Sequence, residues 1–274
     1  MSVVPLNSGV QWEEDPRGNG NSHDGRTIRR HMRSETDPNV MAIVKRPKPE
    51  YMPAEMYSIG MERVGYHLGT LLDLPVPKTW LDTVDGHPSS VHDFVPNARS
   101  WIQIGGAPLM RDNVTNQDTY AMAAMFDVWL ANMDRRVVNF LFEPLPEGTR
   151  PGIAKGSRLW LIDHGYCGLW PAGKTVGDPA APLIPTTLTG VLPDPQENTI
   201  AALMPAEYRM ALKNSQGPDR ALLLDRIRSV GDDAVDAAIN EVPDDYMTPA
   251  EREATAVFLK SRRDTLDTVL ISNW

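Results

Sequence analysis

Ala131-Asn-Met-Asp-Arg-Arg-Val-Val-Asn139 and, 24 residues beyond Asn139, the Asp163 of Leu161-Ile-Asp-His-Gly165 decide how this chain is read. An Asp and an Asn five positions apart fit in one loop, with the Asp134 carboxylate aimed at an attacking hydroxyl and the Asn139 amide at a metal ion. The apolar run Arg158-Leu-Trp-Leu-Ile-Asp163 predicts a strand that ends on a carboxylate. An unpaired carboxylate there is costly, so a cation or metal is expected beside it. Asn139 and Asp163 together make a hard oxygen set of the kind Mg2+ prefers. Phosphoryl transfer needs charge neutralisation, in-line positioning and a group that orients the nucleophile, and little else.

That chemistry also calls for a lysine on an earlier strand and a helix glutamate to hold it. Val40-Met-Ala-Ile-Val-Lys45 reads as a strand ending on Lys45, with Pro47 and Pro49 stopping further pairing. Lys48, between those prolines, is the weaker choice. Tyr57, Met61, Val64, Leu68, Leu71 and Leu72 recur with a 3.6-residue period and predict a helix between Pro53 and Pro75, which carries Glu62. Glu50 and Glu55 compete with Glu62 as solvated helix charges. Thr79–Val84 and Ser90–Val95 read as a hairpin turning at Asp85-Gly86. Its exit presents Phe94 and Val95, either to an adenine ring or as plain core residues.

The order Lys45, Glu62, Asp134, Asn139, Asp163 resembles the atypical kinase superfamily, in particular its HipA-like and phosphoinositide 3-/4-kinase-like branch. Met61-Glu-Arg-Val-Gly-Tyr-His-Leu-Gly-Thr-Leu-Leu-Asp-Leu-Pro-Val-Pro77 is similar to that branch's glutamate segment and the turn after it. Residues 131–139 resemble its catalytic loop, and 161–165 its metal-binding strand end. The resemblance implies an α+β, bilobal protein-kinase-like fold, with a strand-rich lobe over 1–95 and a helical lobe over 96–274. It implies ATP and Mg2+ as cofactors. Lys45 would clamp the phosphates, Glu62 would orient Lys45, Asn139 and Asp163 would hold the metal, and Asp134 would orient a Ser/Thr hydroxyl of a protein substrate. Phe94 and Val95 would meet the adenine, and Gly18 and Gly20 would lie over the phosphates, although the loop around them lacks a Gly-x-Gly-x-x-Gly pattern. Arg136 stands where the branch often has His. Ser22 is a candidate autophosphorylation site by the same likeness, against the plainer reading of a loop serine. A toxin-like or regulatory role follows by analogy alone. Alternatives are a lipid or small-molecule substrate, nucleotidylation of a protein, and a pseudokinase that acts through a partner.

Composition narrows the field. With 274 residues the chain can bury a full core. Asp and Glu outnumber Lys and Arg by 36 to 27, giving a net charge of −9, which disfavours general affinity for nucleic acid or anionic membranes. The cluster Arg26-Thr-Ile-Arg-Arg-His-Met-Arg33 runs against that balance. It reads as a solvated, locally paired face, with nucleotide phosphates, an acidic partner or nucleic acid as the sharper alternatives. A single cysteine, Cys167, excludes an internal disulfide, and no apolar run reaches the ~20 residues of a membrane span. No secretory signal is visible, so a cytoplasmic protein is expected. Residues 1–38 read as polar and glycine-bearing, with Asp15–Gly25 as a mobile loop. A helix is expected from Thr115 and helices throughout from Gln196, the last of them capped by Thr248, Pro249 and Glu251.

Overall fold

Five strands form the first sheet: β1 (Trp12–Glu14), β2 (Thr27–Ser34), β3 (Met41–Pro47), β4 (Thr79–Val84) and β5 (His87–Asp93). They pair antiparallel in the order β1-β2-β3-β5-β4. This computed structural model describes residues 10–15, 27–37, 39–52, 54–100, 103, 114–116, 119–132, 135, 137–146, 156–168 and 218–266. The expected hairpin is β4–β5. Asp85 and Gly86 both take positive φ, 52° and 76°, as a two-residue turn matched to strand twist requires. Strand β3 runs through Lys45 to Pro47, whose partner is Thr27. The proline therefore closes the pairing instead of preceding its end.

β1 and β2 are two strands that the polar reading of residues 1–38 does not predict, and they flank the stretch read as a loop. In β2 the apolar Ile28 and Met32 alternate with arginines, so the strand is basic on both faces and its period is hard to see. Met32 joins Trp12, Ala42, Val44, Val84 and Val91 in a small core on one face of the sheet.

The other face meets α1 (Ala54–Leu71), as the periodicity between Pro53 and Pro75 predicts. Its apolar side, from Met56 to Leu72, belongs to a much larger core that runs through the rest of the chain. That remainder comprises β6 (Arg99–Ser100), α2 (Thr119–Leu130), β7 (Phe140–Pro144), β8 (Ser157–Leu161), α3 (Pro218–Arg228), α4 (Asp232–Asn240) and α5 (Pro249–Asp264). β6, β7 and β8 make a second, three-stranded antiparallel sheet. Strand-rich front and helical back are thus joined through α1. Tyr57 Oη lies 3.0 Å from Thr255 Oγ1 of α5, and Arg63 donates to Glu241 at the end of α4 at 2.7 Å.

α5 starts where its sequence says: Thr248 accepts from the Glu251 amide while Glu251 accepts from the Thr248 amide. Each satisfies an otherwise orphaned donor of the first turn. Among the described residues, no helix is long and apolar enough to cross a membrane.

Candidate active site

Lys45 is the centre of the site. β3 carries it to the α1 face of the sheet, where its Nζ donates to Glu62 Oε1 at 2.5 Å and to Asp163 Oδ1 at 3.0 Å. The three residues come from a strand, a helix and a strand end that lie far apart in sequence. Burial opposes the Lys45 charge, but Asp163 and Glu62 outweigh it and hold the pKa up at about 12. Burial raises Glu62, and Lys45 offsets only part of that rise. Asp163 moves the other way, because Lys45 first and Arg135 second overcome the cost of its burial and keep it ionised. Its side chain stays 27% exposed, so the carboxylate remains open to a ligand.

Asp163 follows β8 and takes φ +67°, a left-handed conformation that Asp tolerates better than most residues and that neighbouring contacts can fix. Several contacts do so. The amide of His164 donates to Glu62 Oε2 at 3.0 Å, tying the turn to α1. Gly165 gives the same closeness, since a Cβ there would stand 2.6 Å from Ser58 Oγ and 3.3 Å from Glu62 Oε1. Gly65 lets α1 approach the turn, because a Cβ on it would fall 2.5 Å from His164 Cβ. The Leu161 amide donates to Pro75 O at 2.8 Å, so the Leu74–Pro77 turn buttresses the same strand end.

Arg135 is the keystone beneath these residues, fully buried at 0% exposure. Its Nε and Nη2 clamp the two oxygens of Asp127 at 2.8 and 2.9 Å, a bidentate pair. Nη1 donates to the carbonyls of Asn139 and Ile162, at 3.1 and 2.5 Å, and Nη2 reaches His164 Nε2 at 2.9 Å. Burial and the Arg135 charge push the His164 pKa well below the usual range, so the ring stays neutral and accepts that bond. One guanidinium therefore positions the backbone of Asn139 and Ile162 and the imidazole of His164, on both sides of Asp163. The Ile162 amide also donates to Asn139 O at 3.2 Å, which sets the two proposed metal ligands on adjoining strand ends.

Lys45, Glu62, Asp163 and Asn139, all singled out from sequence, therefore converge. Phe94 and Val95 are half-buried at the exit of β5, with the Phe94 amide on Met41 O and its ring 5.8 Å from His31. Gly18, Gly20 and Ser22 belong to the β1–β2 connection, and these three, Asp134 and Arg136 lie outside the described residues. Sequence reasoning passed over Arg135 and its partner Asp127. The available signal was a lone carboxylate on the otherwise apolar face of α2, which implies a buried cation.

Among the described residues no group of three or more His, Cys, Asp or Glu could hold a metal unaided. The Asp163 carboxylate and the Asn139 amide do fit Mg2+ as two hard oxygen donors, since this ion commonly takes its other ligands from phosphate and water. Cys167 is buried and its thiol is pushed well up by burial, which argues against a nucleophile.

Comparison with solved structures gives the arrangement its fold. The chain superposes on a proinflammatory kinase of Helicobacter pylori, CtkA, with a TM-score of 0.64 at 16% identity, covering 96% of this chain and 97% of that one. The fold is that of a HipA-like kinase. HipA itself, from a Shewanella oneidensis MR-1 toxin–antitoxin complex with HipB and operator DNA, matches with a TM-score of 0.54 at 12% identity. That match covers 94% of this chain and 69% of HipA. No family model matches the chain, and no curated protein does. The α+β HipA-like fold accounts for the strand-rich sheet before a helical remainder.

Proposed function

We propose that this protein is an ATP- and Mg2+-dependent kinase that transfers the γ-phosphate to a Ser or Thr hydroxyl of a protein. The observation that carries the proposal is the buried contact of Lys45 with both Glu62 and Asp163. A lysine held charged by a helix glutamate and a strand-end aspartate is placed to bind phosphate rather than to act as a base. Glu62 orients the ammonium, and Lys45 holds the nucleotide's phosphates. Asp163 and Asn139 would hold the metal, which when bound supplies charge neutralisation across the phosphates. Asp134, beside Arg135 in sequence, would orient the substrate hydroxyl, and the Gly18 and Gly20 loop would cover the phosphates.

At the base end, the Phe94 N–H and the Val95 C=O are engaged internally, on Met41 O and by the Ala98 amide. Among the described residues, the Phe94 C=O and the Val95 N–H are then the groups left to read the adenine edge. Likeness to a toxin-system HipA and to a proinflammatory kinase supports a toxin-like or regulatory output.

The test is incubation with ATP, Mg2+ and a cell lysate, followed by mass spectrometry of this protein and the lysate. Phosphoserine or phosphothreonine that depends on this protein is expected. An AMP adduct would replace the proposal with nucleotidylation, and ATP binding without any product would replace it with a pseudokinase.

A further inference from the structure

We infer that Arg29 is a second phosphate-binding cation of the nucleotide site, standing beside Lys45 to receive a nucleoside triphosphate. The inference rests on the ATP reading above and goes beyond it. In the β2–β3 register Arg29 lies directly opposite Lys45. Residues directly opposed on antiparallel strands project from the same face, with Cβ atoms about 4.5–5.5 Å apart. Lys45 points towards Glu62 and Asp163, so Arg29 shares the face of the sheet that carries the site.

Other cations of β2 and β3 are accounted for differently, Arg46 among them, which faces Arg30 and Asp85 on the opposite side of the sheet. Arg33 is paired with Glu13 at 2.6 Å. Arg30 sits on the opposite face, 3.5 Å from Asp85. Lys45 has its two carboxylates. Arg29 has no carboxylate partner among the described residues, and its Nε is enclosed without a hydrogen-bond acceptor. A buried donor left unmade beside a like charge is a cost to the fold. Such a cost is common where a ligand completes the site.

Charge balance points the same way. Lys45, Glu62 and Asp163 sum to −1, so the lysine alone leaves the site repelling a polyanion. Adding Arg29 brings these four groups to zero and leaves the buried Asp15 carboxylate, whose charge His31 also feels, as the remaining negative charge beside them. Position agrees too. His31, two residues along β2 on the same face, stands edge-on to Phe94 at 5.8 Å. Its pKa is lowered by burial and then by the Arg29 charge, so the two side chains are near neighbours. A nucleotide with its base at Phe94 and His31 would run along this face with its phosphates at Arg29 and Lys45.

The experiment compares wild type, Arg29→Gln and Arg29→Lys by thermal stabilisation with Mg2+ and either ATP or adenosine. Loss of one charge-assisted contact should weaken ATP binding by about ten- to a hundredfold in Arg29→Gln. Adenosine should stabilise all three alike, Arg29→Lys should recover part of the ATP effect, and unliganded Arg29→Gln should melt at or above the wild-type temperature. ATP affinity within about twofold of wild type, equal loss of adenosine and ATP binding, or an unliganded variant that melts several degrees lower would each overturn the role. Failure of wild type to bind ATP at all would overturn the ATP reading, and this inference with it.

Discussion

Replacing Arg135 with Met isolates the residue that the site depends on without touching a proposed ligand of ATP or metal. The guanidinium makes two contacts to Asp127, two to backbone carbonyls and one to His164, all within 3.1 Å. Met matches much of its aliphatic volume but takes from the buried Asp127 its bidentate cation, while the Asn132 amide stays at 2.8 Å. Breaking one partner of a buried ion pair costs about 3–5 kcal/mol. Domain stabilities run from about 5 to 15 kcal/mol, so about a fifth or more of the total is at stake. Urea unfolding measures it directly. With a slope of about 3 kcal/mol/M, the midpoint should fall by about 1 M or somewhat more. Phosphotransfer, assayed where the variant is still folded, should fall further than its folded fraction, because the Asn139 and Ile162 carbonyls lose their common donor. Pairing Arg135→Met with Asp127→Leu should restore much of the stability but not the activity. A single variant that loses less than about 1 kcal/mol would refute the keystone role, since no relaxed burial of Asp127 is that cheap.

Two further outcomes follow from the same geometry. His92 and His164 are both held neutral, by burial first and then by neighbouring cations, and both pKa values lie well below the ordinary one. Below about pH 6.5 the unfolded chain binds protons there that the folded chain does not, so stability should fall as pH drops from 7 to 5. The slope should approach about 2.7 kcal/mol per pH unit for two groups. His164→Gln should roughly halve that slope in urea melts, and pH-independent stability over this window would contradict the burial argument. Gly65→Ala should destabilise by about 1–3 kcal/mol despite a helix-propensity gain of about 1 kcal/mol, because its Cβ collides with His164. A neutral or stabilising result in the same melts would show that α1 does not press on the Asp163 turn.

Much of the fold was legible because its signals are local. The α1 period, the Asp85-Gly86 turn and the Thr248 cap each encode an element within a few residues, and each formed where expected. β1 and β2 were not legible: Trp12–Glu14 is too short to show a period, and the arginines of β2 mask its alternation. Of the candidate site, the order Lys45, Glu62, Asn139, Asp163 singled out residues from a strand, a helix, a loop and a strand end that the fold brings near one another, while their roles remain proposals. Arg135 and Asp127 could not be paired in advance. Their contact depends on how the residues after α2 fold back, and spacing alone does not fix that. Arg29 illustrates the same limit, because its importance comes from standing opposite Lys45, a matter of strand register.

The central claim is that Lys45, Glu62 and Asp163 form a phosphoryl-transfer site, and the most direct measurement is label transfer by wild type and Asp163→Asn side by side. Each protein is incubated with Mg2+ and ATP labelled at either the γ- or the α-phosphate, after urea melts have shown that both are folded. The account predicts γ-label on Ser or Thr with wild type, no α-label, and a loss of at least about a hundredfold with Asp163→Asn, the order expected when a key charge-stabilising group is removed. Equal γ-transfer by the two proteins, or transfer of the α-label instead, would contradict it.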